Sequence, residues 1–166
     1  MTRRLLASHL ALTVVVLVAL EVPLAIVNAR NEQQDLTAKV ERDAFVFASY
    51  AEDTLQGGVA RSPRLVTIAR NYQSATGGRV VIVDKKGQSI ADSHPTVANE
   101  SSFSSRPEIA AALRGKTVTG IRRSDTLDTK LLYVAVPVAS GGDVFGAVRI
   151  TYPTSALDRR LNRYRL

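Results

Sequence analysis

The chain has no cysteine, no tryptophan, one methionine and two histidines. Without cysteine there is no disulfide and no thiolate metal site. His9 lies inside an apolar run and His94 precedes Pro95 in a polar stretch, so the two cannot build a usual zinc site. His94 reads as a surface loop histidine. There is no P-loop, no glycine-rich ATP lid and no nucleophile elbow, so no residue of this stretch is a catalytic candidate. Asp125 and Asp128 lack the full set of oxygen ligands that calcium needs and read as hairpin-loop residues. Asn99-Glu100-Ser101 matches a glycosylation sequon and carries no further weight.

Aromatic residues are scarce, five Tyr and four Phe, with no stacking motif. That argues against nucleic acid as a partner even though 22 basic residues face 15 acidic ones for a formal charge of +7. The basic residues are scattered until Arg159, Arg160, Arg163 and Arg165, a cluster suited to anionic lipid head groups.

What the chain has in abundance is an apolar N-terminus. Arg3 and Arg4 precede a Leu, Val and Ala run from Leu5 to Val27. As a helix this run rises roughly 34 Å, enough to cross a hydrocarbon core of about 30 Å. Glu21 and Pro23 interrupt it near one end, where a charge costs less than at the centre. A competing reading cuts the run at Leu20, giving a signal-peptide core with cleavage after Val27-Asn28-Ala29. In both readings the arginines stay inside and residues after about 30 are extracytoplasmic. The expected division is a transmembrane anchor or signal over 1–29, one domain over 30–154, and the start of a helix over 155–166.

Asn31 to Gln56 reads as one long helix, with Leu36, Val40, Ala44, Phe47, Ala51 and Leu55 on a stripe and Gly57-Gly58 ending it. The stripe is expected to pack on its own domain, part of the helix also forming a dimer seam. Ser62 and Pro63 open a second helix that stops at Thr76-Gly77-Gly78. Val80 to Val83 is too continuously apolar for an edge strand. It forms a hairpin with Gln88 to Asp92, and Ser93 to Ser104 is a polar loop.

Ser105-Arg106-Pro107-Glu108 reads as a capping box opening a short helix, with Ile109, Ala110 and Leu113 inward. Strands are predicted over Val118–Arg123, Leu131–Val138 and Val144–Tyr152. In the last, Val144, Val148, Ile150 and Tyr152 occupy one face, and Phe145, Arg149 and Thr151 the other. A helix restarts at Ser155. Five antiparallel strands with helices to one side make an α+β architecture.

The run Gly78 to Asp84 with Gly87 and Asp92, then Arg106-Pro107-Glu108-Ile109 with Ala112 to Gly115, then Tyr133 to Val138 and Gly146 to Ile150, resembles the extracytoplasmic PAS-like (Cache-type) sensor region of bacterial two-component sensor histidine kinases. Glu21 to Leu24 and Glu41 to Ala44 are similar to the same proteins in high-GC Gram-positive bacteria. The resemblance implies a transmembrane helix, a long membrane-proximal helix, and a PAS-like domain with a five-stranded antiparallel sheet flanked by helices. It also implies a homodimer, a second span directly after the helix that begins at Ser155, and a cytoplasmic kinase core that would bind ATP and Mg and act on a cognate response regulator. Neither histidine here has the Glu and downstream Pro of a phosphoacceptor helix.

Sensors of this kind hold small ligands between the sheet and the segment covering it, here Ser93 to Arg114. Arg106, Tyr133 and Arg149 are the candidate ligand-binding residues, since a cationic fork and a phenol suit a carboxylate. The competing readings are plain: Arg106 a first-turn helix residue, Tyr133 a half-buried strand residue, Arg149 a solvated strand position. No metal site is expected. The alternative function is a secreted or singly anchored Cache-like binding protein.

Overall fold

A computed structural model describes residues 2–58, 61–94, 102–124 and 129–153. The predicted helix at 155–166 with its arginines, Asp125 and Asp128, the sequon at 99–101 and most of the polar loop lie outside the described residues. Two compact units divide between Ala38 and Lys39.

The first unit, Met1–Ala38, contains the N-terminal part of helix α1 (Thr2–Gln56), with Pro23 inside it. Its large apolar side chains are exposed from Leu12 to Leu24. Among the described residues no helix is long and apolar enough to cross a membrane.

The second unit, Lys39–Leu166, is built on the α+β plan. In the rest of α1 the predicted stripe is the buried one: Val40, Ala44, Phe47, Ala51 and Leu55 are all under 9% exposed. Helix α2 (Pro63–Thr76) starts as its sequence dictates, Ser62 Oγ accepting the Leu65 N–H at 3.4 Å with Pro63 in the first turn. It stops at Gly77, whose φ of 83° is left-handed and whose N–H donates to the Gln73 carbonyl.

The sheet comprises β1 (Arg79–Asp84), β2 (Ser89–Asp92), β3 (Val118–Ser124), β4 (Thr129–Ser140) and β5 (Asp143–Pro153). Its order is β2-β1-β5-β4-β3, every neighbour antiparallel. β1 is interior, as its run of valines requires. Gly146 sits where a side chain cannot, since a Cβ there would collide with the Val83 carbonyl oxygen and approach Leu55.

Three expectations need correction. Helices cover both faces of the sheet: α1 and α2 lie against the side of Ile150 and Tyr152, while the short helix α3 (Pro107–Leu113) packs Ile109 and Ala112 with Val81, Val83, Ala135 and Ala147 on the other. Strand β5 therefore has no solvated face, and Arg149 and Thr151 are buried. The capping box does not form. Arg106 is the N-cap residue of α3 without a side-chain cap, Ser105 is not the cap, and Glu108 turns inward. Within α3, Ala112 takes the buried position and Ala110 is half-buried.

Candidate ligand site

The α3-covered face of the sheet gathers its charges through strand register. Side chains of directly paired residues share a face, and the face repeats every second residue. One row across the sheet holds Val81, Arg149, Ala135 and Val118. The next holds Arg79, Thr151, Tyr133 and Gly120. Arg122, two residues beyond Gly120 on β3, points to the same side. Asp92 enters from β2 opposite Val81.

Arg149 is the centre of this arrangement and is 3% exposed. Its Nε lies 2.9 Å from Glu108 Oε1, with Glu108 4% exposed. The contact has ion-pair distance without hydrogen-bond alignment: neither atom has a hydrogen-bond partner among the described residues, nor does Arg149 Nη2. Arg122 Nε is likewise buried and unpartnered. Burial lowers the Arg149 pKa to about 10; Glu108 opposes the shift, and the like charges of Arg122, Arg106 and Arg79 add to it. The guanidinium keeps its proton at neutral pH all the same. Four cations thus bear on one buried locus.

Arg79 and Asp92 form the settled part of the face. Arg79 Nε and Nη2 donate to the two Asp92 oxygens at 3.1 and 2.6 Å, a fork-to-fork pair. Asp92 Oδ1 also accepts the His94 N–H at 2.9 Å, which ties down the start of the polar loop. The Arg79 guanidinium stands 5.8 Å from the centroid of the buried Phe103 ring.

The three residues singled out from the sequence fall on this one side. Arg106 occupies the N-cap position of α3 and acts electrostatically on Arg149. Tyr133 lies one row from Arg149, its ring over Gly120, where any Cβ would strike the phenol. Sequence reasoning missed Glu108, Arg122, Arg79 and Asp92. Arg122 needed the β3–β4 register, which pairs Gly120 with Tyr133 and so sets Arg122 on the same face; alternation within β3 alone could not supply it. Glu108 was masked by its resemblance to a capping residue.

A concavity of about 270 Å³ lies between α1 and α2, lined by Asp43, Val46, Phe47, Tyr50, Ile68 and Tyr72. Its one charged group, Asp43, accepts the Tyr72 hydroxyl at 2.8 Å. A polar ligand would find little there to hold it.

A five-stranded antiparallel sheet with paired helices on one face and a short covering helix over a cationic face on the other defines a PAS-like sensor domain. The sequence matches the family described as single cache domain 3 over residues 24–165, and the chain belongs to that family of Cache sensor domains. No curated protein matches it in sequence. Among solved structures it is similar to the sensor domain of the V. cholerae histidine kinase DctB, with TM-score 0.53 and 17% identity over 81% of this chain. It spans 58% of that structure's length. The E. coli DcuS sensor domain is similar at TM-score 0.52 and 17% identity, covering 76% of this chain and 97% of the other. An extracellular ligand binding receptor from Desulfohalobium retbaense gives TM-score 0.53 and 18% identity over 72% of this chain and 23% of its own.

Proposed function

We propose that the chain is the membrane-anchored, extracytoplasmic input module of a two-component sensor histidine kinase, and that it binds a small carboxylate on the α3-covered face of its sheet. The observation that carries the ligand reading is Arg149: buried, charged, and with an N–H that has no hydrogen-bond partner among the described residues. Burying a cation without a full set of acceptors is costly unless an anion completes the site. Arg122 supplies a second such N–H, and Arg106 and Tyr133 flank them.

Anchoring is supported by the exposed apolar run from Leu12 to Leu24 behind Arg3 and Arg4. The kinase assignment rests on the order of sequence motifs, and the kinase chemistry, ATP, Mg and response regulator belong to residues outside this chain. A homodimer formed through α1 is part of the same reading, since Phe45, Val46 and Tyr50 remain exposed on that helix. Ligand-induced shifts in the covering helix or in α1 packing would be relayed as discrete helix rearrangements.

Calorimetric titration of the full chain in detergent micelles with a panel of small carboxylates tests the ligand reading. At least one carboxylate is expected to bind the wild type and to lose roughly tenfold or more in affinity on Arg149→Gln, about 1.4 kcal/mol. Binding confined to uncharged compounds would sink it. The alternative, a secreted or singly anchored Cache-like binding protein, is favoured by the signal-like core ending at Leu20, and its signature is a mature N-terminus at Arg30 or Asn31.

A further inference from the structure

The two ion pairs on the ligand face differ in kind. Asp92 grips Arg79 through two aligned hydrogen bonds and holds the His94 N–H as well, so its acceptors are occupied. Glu108 approaches Arg149 most closely at 2.9 Å, between Oε1 and Nε, and neither of these atoms makes a hydrogen bond among the described residues. A buried network satisfied in this partial way is electrostatically strained, whereas a bidentate anion on the same guanidinium would be short, aligned and strong.

The buried donors point the same way. Among the described residues Arg149 and Arg122 each keep a buried N–H without a hydrogen-bond partner, while Asp92 on the same face is engaged by Arg79. Glu108 is a polar anchor of α3 to the sheet. The apolar inward residues of that seven-residue helix, Ile109, Ala112 and the partly buried Leu113, make non-directional contacts.

We propose that Glu108 is a built-in carboxylate holding the place of the ligand on Arg149, and that an incoming anion displaces it and thereby releases α3 from the sheet. The proposal rests on the reading of this face as an anion site. Occupancy and the position of α3 are then linked, because once Glu108 leaves Arg149 the helix is held to the sheet through the apolar contacts of Ile109, Ala112 and Leu113. A ligand that merely added to an existing pair would tighten α3; one that replaces Glu108 loosens it.

The test uses the full chain in detergent micelles with inorganic sulfate as the probe, against chloride at matched ionic strength. Sulfate binding is followed through the arginine Nε–H signals, and α3 through hydrogen exchange at the amides of Ile109 to Leu113. Saturating sulfate is expected to perturb Arg149 and Arg122 and to speed exchange in α3 by about fivefold or more. Glu108→Gln removes the competitor, and Glu108→Asp shortens its reach. Both are expected to bind sulfate about tenfold tighter than wild type. Sulfate bound with α3 exchange slowed or unchanged, or with equal affinity in all three proteins, overturns the displacement and leaves the anion site standing. Absence of sulfate binding in the wild type and in both variants would overturn the anion site itself.

Discussion

Arg149 and Glu108 show how far a single strand position can be read before the fold is known. Strand alternation places Arg149 on the face opposite Ile150, but whether that face meets water depends on what covers it. Here α3 covers it, so a residue that could have been solvated is 3% exposed and needs a counter-charge. The counter-charge comes from Glu108, whose sequence setting two residues after Arg106 fits a capping box equally well. Removing one member of such a buried pair strands the other. Arg149→Leu is therefore expected to cost about 3–5 kcal/mol. Replacing both, Glu108→Leu with Arg149→Met, should recover most of that loss or exceed wild-type stability. Urea unfolding of the three proteins checks this, and a double variant as unstable as the single one would contradict it. The double variant is also the folded control expected to bind no carboxylate.

At the scale of elements, the parts legible in the sequence were those set by period and local chemistry. The α1 stripe, the Ser62 and Pro63 start of α2 and the Gly77 stop all depend on neighbours within a turn or two. The joint between α1 and α2 was not legible, because Tyr72 and Asp43 meet across a long stretch of chain. Phe47 adds an edge-on ring contact to Tyr72, with centroids 5.4 Å apart. Burial raises the Tyr72 pKa above its ordinary 10.0, and the Asp43 bond and charge raise it further.

The sign of the resulting pH effect follows from linkage. Above pH 10 the unfolded chain loses the phenol proton while the folded chain keeps it. The folded state then binds more protons, and stability falls as pH rises. Below pH 10 this contribution is fully present and constant. Tyr72→Phe should cost about 0.5–1.5 kcal/mol at neutral pH for the lost hydrogen bond. It should also flatten the alkaline decline above pH 10, which denaturation across pH 8–11 reads directly. An unchanged alkaline slope would mean Tyr72 is not its source. Gly146 belongs to the same scale. Its need for a bare Cα arises from Val83 on β1 and Leu55 on α1 converging at one point of β5. Gly146→Ala is expected to break the β1–β5 pairing, with a loss of more than about 3 kcal/mol; a melting temperature near that of the wild type would refute this.

At the scale of the whole molecule, the fold class was readable because five strands and their turns are punctuated locally, while the placement of the helices on two faces was not. With α1 and α2 on one face, the apolar part of the other, which β1 requires to be buried, is covered among the described residues by α3 and Phe103. The anchoring proposal rests on a different part of the chain. Leu12 to Leu24 exposes large apolar side chains, interrupted by Thr13, Ala19, Glu21 and Pro23, and an exposed apolar series of this size marks a surface that favours a membrane or a partner over water. Glu21 and Pro23 make the series imperfect as an anchor and acceptable as a signal. The two outcomes separate cleanly in a bacterial host. An anchored chain keeps its N-terminal residues and stays in the membrane pellet after alkaline carbonate washing, whereas a cleaved one begins at Arg30 or Asn31 and is soluble. Leu17→Arg places a charge in the middle of the run, where insertion costs about 2.5–3.5 kcal/mol. It should shift the chain out of the pellet if the run is what holds it there, and leave the distribution unchanged if it is not.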